Sequence, residues 1–122
     1  MKPTSFAIES QERSGVQVIA IRGELDLHTA PRLEHSLDAV LERDGGALAI
    51  DLSACEFIDS TGIALIVRAW RELDGDSKDA PGGRFALCGL GDQVQRLFDI
   101  TGLESMIPMH ATLEAALGEL SE

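Results

Sequence analysis

Basic residues are scarce in this chain. Ten Lys and Arg stand against 21 Asp and Glu, for a formal net charge of −11. Such a surface repels phosphate backbones and anionic membranes, so direct nucleic-acid binding is not expected. Partners with basic or mixed surfaces are favoured. Cysteine is scarcer still: Cys55 and Cys88 make neither a disulfide framework nor a metal-ligand spacing. Both read as small buried hydrophobes at strand ends. No apolar run has the length of a membrane span, and no signal-peptide core follows Met1-Lys2-Pro3-Thr4-Ser5. A cytoplasmic protein is expected.

Recognisable catalytic patterns are missing as well. There is no G-x-x-x-x-G-K and no G-x-G-x-x-G; Gly89-Leu90-Gly91-Asp92 is only an echo of a phosphate loop. His28, His35 and His110 form no triad pattern, and Ser60 is not in a G-x-S-x-G elbow. All three histidines read as surface residues. Glu24, Asp26, Asp51, Glu56 and Asp59 could gather at one end of a sheet and hold Mg²⁺, but scattered acidic loops are usually just solvated. No enzyme, no metal and no cofactor is expected.

What is present is a single core's worth of apolar residues, 44% of 122, which suits one domain over 1–122. Phe6 and Ile8 alternate in a half-buried edge strand over Ser5 to Glu9, Glu12-Arg13-Ser14-Gly15 supplies a turn, and Val16 to Ile21 follows as a second strand, making an antiparallel hairpin. The second strand ends at Gly23, and Glu24 to His28 reads as a loop. Thr29 caps a helix with Pro31 in its first turn and Leu33, Leu37, Val40 and Leu41 on one face; Gly45-Gly46 ends it in the left-handed conformation.

Ala47 to Leu52 has the near-continuous apolar character of a central strand. A second helix follows over Ser60 to Leu73, with Ile63, Ile66, Val67 and Trp70 facing the core and Ala64 and Ala69 beside them. The polar stretch Asp74 to Gly83 reads as a loop with no functional signal. Arg84 to Cys88 is a buried strand. A third helix is capped by Asp92, turns Val94, Leu97 and Phe98 inward and closes at Gly102. Met106-Ile107-Pro108 reads as a short edge strand, and a final helix over Thr112 to Leu120 buries Leu113, Ala116, Leu117 and Leu120. The alternation implies right-handed crossovers. The fold class is α/β: a mostly parallel central sheet with an N-terminal antiparallel hairpin strand and helices packed against it.

One stretch organises the rest. Phe57-Ile58-Asp59-Ser60-Thr61-Gly62 lies where a strand gives way to a helix. Asp59 or Ser60 can serve as N-cap, and the hydroxyls of Ser60 and Thr61 then sit at the positive end of the helix dipole, a favourable place for a phosphate.

Three segments carry a resemblance. Gly23 to Leu33 looks like the first loop and helix of STAS domains (sulphate transporter and anti-sigma factor antagonist), Asp59-Ser60-Thr61-Gly62-Ile63 resembles their phosphorylation-site motif, and Phe98 to Leu103 resembles their third-helix ending. The resemblance spans nearly the whole chain in the same element order. It implies an anti-sigma factor antagonist. The unphosphorylated form would bind a serine-kinase anti-sigma factor and free a sigma factor, and phosphorylation of Ser60 would switch it off until a cognate serine phosphatase reversed it. By the same resemblance Asp26, Asp59, Ser60, Thr61 and Gly62 would form the partner-binding site, with Gly62 permitting close approach of the kinase. The 74–83 loop is longer than the family's. A monomer is expected when free. Two other readings stand beside this one: a STAS-type structural or regulatory subunit of a transporter ATPase or sensory complex, and a nucleotide-using enzyme built on the acidic loops.

Overall fold

The computed structural model describes residues 5–42, 46–75 and 84–120. Over them run β1 (Ala7–Arg13), β2 (Val16–Leu25), α1 (Ala30–Leu41), β3 (Ala47–Ile58), α2 (Ser60–Trp70), β4 (Phe85–Cys88), α3 (Asp92–Thr101), β5 (Met109–His110) and α4 (Leu113–Leu120). One sheet holds the strands in the order β1-β2-β3-β4-β5. β1 is antiparallel to β2, and every other neighbouring pair is parallel. This is the α/β architecture read from the sequence.

The hairpin turn is tighter than expected. Ser14 and Gly15 have φ of 55° and 79°, both in the left-handed region whose twist suits a two-residue hairpin. Glu12 and Arg13 are therefore released from the turn into the ladder, paired with Gln17 and Val16. β2 also runs past Gly23, which bends with φ of 92° without ending the strand. The register to β3 shifts between Gly23 and Glu24, as at a bulge. Glu24 and Leu25, expected in a loop, are strand residues, and Leu25 is fully buried.

β3 is twice the expected length. Its pairing with β4 stops at Asp51↔Cys88, while its pairing with β2 continues to Leu25↔Ile58. The last part of β3 thus stands out beyond β4 and delivers Asp59 to the end of the sheet.

Two cores flank the sheet. On one face Ile19, Ile21, Leu48, Ile50, Leu52 and Phe85 pack against Leu33, Leu37, Ile66 and Phe98 of α1, α2 and α3. On the other, Val16, Val18, Ala49, Ala86 and Cys88 meet Ala116, Leu117 and Leu120 of α4. Fully burying each large aliphatic or Phe side chain is worth about 1.5–3 kcal/mol.

Helix details depart from the sequence reading in consistent ways. α2 buries Gly62, Ile66 and Ala69, with Leu73 following in a π-helical turn over Arg71–Gly75; Ile63, Val67 and Trp70 are half-buried flanks. Gly62 and Ala69 share the buried stripe with Ile66 and Leu73, which turns Ile63, Val67 and Trp70 to its flanks. α1 ends with Glu42 in a right-handed conformation rather than on a left-handed glycine; Gly46 is not among the residues with positive φ, and Gly45 lies outside the described residues. Of the 74–83 loop, 76–83 lie outside them too, while Asp74 Oδ1 accepts from the Arg84 amide at 2.7 Å. Asp92 is the first helical residue of α3, and Gly91 holds the cap position; Gly102 closes the helix with φ of 79° as expected. β5 begins three residues later than Met106, because Leu103–Ser105 form a 3₁₀ turn. Pro108 still marks the sheet edge, its carbonyl accepting from the Leu87 amide at 2.9 Å. Leu113 is only half-buried.

Candidate functional site

The site is built where β2 and β3 end side by side. The Asp59 amide donates to the Leu25 carbonyl at 3.1 Å, tying the β3–α2 junction to the end of β2. Asp59 is extended, with φ −109° and ψ −175°, and its Oδ1 accepts from the Gly62 amide at 3.1 Å. Of the two residues that could cap α2, Asp59 does so. The amides of Ser60 and Thr61 precede the first intrahelical bond and stand at the positive end of the helix.

This division of labour leaves Ser60 free. It is exposed, and its hydroxyl makes no hydrogen bond among the described residues. Thr61, one position on, is half-buried. An added phosphate would therefore displace no existing bond at Ser60 and would meet a favourable dipole.

Gly62 serves the fold in a way opposite to the expectation that it opens the site to a kinase. It is buried, and a Cβ there would lie 2.7 Å from Leu25 Cγ, 2.8 Å from Leu25 Cδ2 and 2.9 Å from Ile58 Cγ1. Its lack of a side chain lets the first turn of α2 settle onto the strand ends. The approach it permits is intramolecular.

Asp26 sits in the β2–α1 loop, and its carboxylate is occupied by that loop. Oδ1 accepts from the amides of His28 at 2.9 Å and Thr29 at 3.2 Å. The Thr29 hydroxyl accepts from the Asp26 amide at 2.9 Å and donates to the Glu24 carbonyl at 2.8 Å. Thr29 holds the cap position of α1 but makes no side-chain cap bond to the helix. It fastens the loop instead. The loop and the β3–α2 junction are joined through Leu25, so Asp26 and Asp59 lie on one continuous structure.

The other sequence candidates separate from this site. Asp51 Oδ1 accepts from the Ser53 amide at 3.0 Å on the α4 side of the sheet. No group of three or more His, Cys, Asp or Glu suited to a metal ion exists among the described residues. His28 and His35 are exposed as expected, but His110 is partly buried, with Nε2 enclosed and without a hydrogen-bond partner among the described residues. It lies on the edge strand β5, paired with Cys88 of β4, and its partial burial departs from the surface reading. Cys55 and Cys88 are free and buried. Burial pushes both thiols up, Cys88 to about 12 with the carboxylates of Asp51 and Glu114 adding to the effect.

Two features of the neighbourhood had no sequence flag. Arg68 of α2 reaches Asp38 at 2.6 Å and Glu34 at 3.3 Å on α1, and Glu72 at 3.1 Å, which steadies the two helices that follow the site loops. Phe57 and Ile100 are exposed and apolar on either side of a groove between β3 and α3. The signal for Ile100 was available, since it falls off the face formed by Val94, Leu97 and Phe98.

Comparison with known proteins agrees with this picture. The STAS domain family model matches residues 7–116. The anti-sigma-B factor antagonist of Listeria monocytogenes serovar 1/2a is 35% identical over 104 residues, covering 84% of this chain and 87% of that protein. The anti-sigma-F factor antagonist RsfB of Mycobacterium tuberculosis is 34% identical over 115 residues, covering 94% and 89%. A crystal structure of an anti-sigma factor antagonist from Mycobacterium paratuberculosis superposes with a TM-score of 0.80 at 32% identity, covering 95% of this chain and 94% of that one.

Proposed function

We propose, starting from the premise that this chain belongs to the STAS domain family, that it is an anti-sigma factor antagonist whose switch is a phosphate on Ser60. The observation that carries this reading is the exposed Ser60 hydroxyl at the first turn of α2, unbonded among the described residues, where Asp59 supplies the cap. Relatives at 34–35% identity named as anti-sigma factor antagonists support it.

On this reading the chain is one domain acting in the cytoplasm and catalyses nothing itself. Its unphosphorylated surface, formed by Asp26, Asp59, Ser60 and Thr61 over the Gly62 turn, binds a serine-kinase anti-sigma factor and frees a sigma factor. The kinase transfers the γ-phosphoryl group of ATP to the Ser60 oxygen, releasing ADP, while the hydroxyl proton passes to a base of the kinase. A serine phosphatase hydrolyses the ester and restores the binding form.

The electrostatics suit a switch that acts between molecules. The phosphate adds about −1.5 to −2 charges at a helix N-terminus, which tolerates them. The same dianion near Asp59 must lose water if a partner covers it. A penalty of roughly 3 kcal/mol would weaken binding on the order of a hundredfold.

The test is to incubate the protein with a serine-kinase anti-sigma factor of its source organism and ATP, then map the product by mass spectrometry. Phosphate on Ser60 is expected; modification elsewhere with Ser60 untouched would reject the acceptor assignment. Ser60→Asp is expected to bind the kinase at least tenfold more weakly than wild type. Full affinity in that variant would reject the charge-block mechanism.

A further inference from the structure

The extension of β3 beyond β4 creates a surface that the Ser60 switch does not by itself require. β4 stops at Cys88, and Gly89, with φ of 74°, turns the chain toward α3. The final residues of β3 therefore have no strand on that side. α3 comes alongside them, and a groove of about 230 Å³ remains between the two. Phe57, Ile58, Val94, Leu97 and Ile100 give it an apolar lining, and Arg96 also lines it. Phe57 is 45% and Ile100 72% exposed. Two large apolar side chains left exposed on one groove mark a contact surface.

The groove is continuous with the candidate switch, because Phe57 and Ile58 lead directly into Asp59 and Ser60. Arg96 lines the groove itself, but Glu56 and Asp92 line the adjoining hollow and the whole chain carries a net charge of −11. A second copy of this chain would bring the same excess negative charge and is disfavoured. A partner with an apolar anchor flanked by Lys or Arg fits both features.

We infer that the β3–α3 groove is a second contact point for the kinase partner, receiving an apolar side chain from a basic segment of that protein. This rests on the function proposed above and adds a separate element to it. The groove supplies affinity that a phosphate on Ser60 does not address directly. The switch surface supplies the sensitivity to charge. Phe57 and Ile100 act in docking and touch no reacting atom.

The experiment is steady-state phosphorylation of Ser60 by the serine-kinase anti-sigma factor, comparing wild type with Phe57→Ser and Ile100→Gln. Each variant is expected to raise KM about tenfold and leave kcat within twofold, as loss of a central apolar anchor should. Ile100→Gln replaces an exposed residue, so a wild-type unfolding midpoint is expected for it even where Phe57→Ser is destabilised. Unchanged KM in a folded Ile100→Gln variant would overturn the groove assignment while leaving Ser60 as acceptor. A wild-type chain with no Ser60 phosphorylation would instead overturn the function on which the inference rests. Sedimentation velocity separates the other occupant: a concentration-dependent dimer abolished by Ile100→Gln would overturn the inference in favour of a second copy.

Discussion

The Leu25 side chain lies directly against the α carbon of Gly62, with no room for a methyl group between them: a Cβ would stand 2.7 Å from Leu25 Cγ. Because Ile58 closes the same space, Gly62→Ala is expected to lower stability by about 1–3 kcal/mol through overpacking. Urea unfolding would show this as a fall in midpoint. Combining it with Leu25→Ala should give a loss smaller than the sum of the two, since the cavity left by Leu25 accommodates the new methyl. Strict additivity would mean that the two residues do not compete for that space.

Asp59 and Ser60 should separate cleanly in the same assay. Asp59→Ala removes the acceptor for the Gly62 amide and should cost about 0.5–2 kcal/mol, whereas Asp59→Asn keeps a capping oxygen and should cost far less. Ser60→Ala, with no hydrogen bond to lose among the described residues, should fall within about 0.5 kcal/mol of wild type. A large loss from Ser60→Ala would show that the hydroxyl has a structural role.

The β2–α1 loop depends on the Asp26 carboxylate. Asp26→Ala leaves the amides of His28 and Thr29 without that acceptor and should cost about 1 kcal/mol. Hydrogen exchange should quicken first at the His28 amide, because the Thr29 amide also donates to the Asp26 backbone carbonyl at 3.1 Å, which the variant keeps. Unaltered exchange there would contradict the assigned bonds.

Both thiols should resist alkylation in the folded protein at pH 8 and react only on unfolding. Their folded pKa values lie above the ordinary 9.0, that of Cys88 at about 12, chiefly through burial. The sign of the linkage follows: the unfolded thiols lose protons first, so the stabilisation is fully present below pH 9 and is lost as pH rises from 9 toward 12. Cys88→Ala should flatten that alkaline decline in a pH series of unfolding midpoints.

Arg68→Gln should loosen α1 against α2 by removing contacts with Asp38, Glu34 and Glu72. Those partners are half-exposed, so the loss should be small and should shrink in about 1 M salt, where surface charges are screened over a few ångströms. A loss independent of salt would assign the effect to packing of the Arg68 stem.

Where a residue's role follows from its place in the chain, the sequence was readable. The strand-to-helix junction at Asp59-Ser60 was marked by apolar runs of different period on either side, and the hairpin and helix order followed from the same cue. What escaped was decided by neighbours distant in sequence. Nothing around Gly62 indicates that Leu25, 37 positions earlier by their numbers, occupies its side-chain space. The length of β3 was hidden because Ser53, Ala54 and Glu56 break the apolar run, while pairing with β2 carries the strand through them. Periodicity in α2 points to Ile63, Ile66, Val67 and Trp70; Ile66 is buried as expected, but its buried companions are Gly62 and Ala69. Asp26 was found by resemblance; its engagement with its own loop became visible only in the hydrogen bonds.

The bond from the Asp59 amide to the Leu25 carbonyl has a bearing on timing. It anchors the residue before Ser60 to the sheet, so the proposed acceptor hydroxyl stands on a pedestal that need not melt or swing for chemistry to reach it. A mark placed there could be written and erased without a refolding step. The response time of such a switch would then belong to the enzymes that visit it, and the protein itself would add no delay.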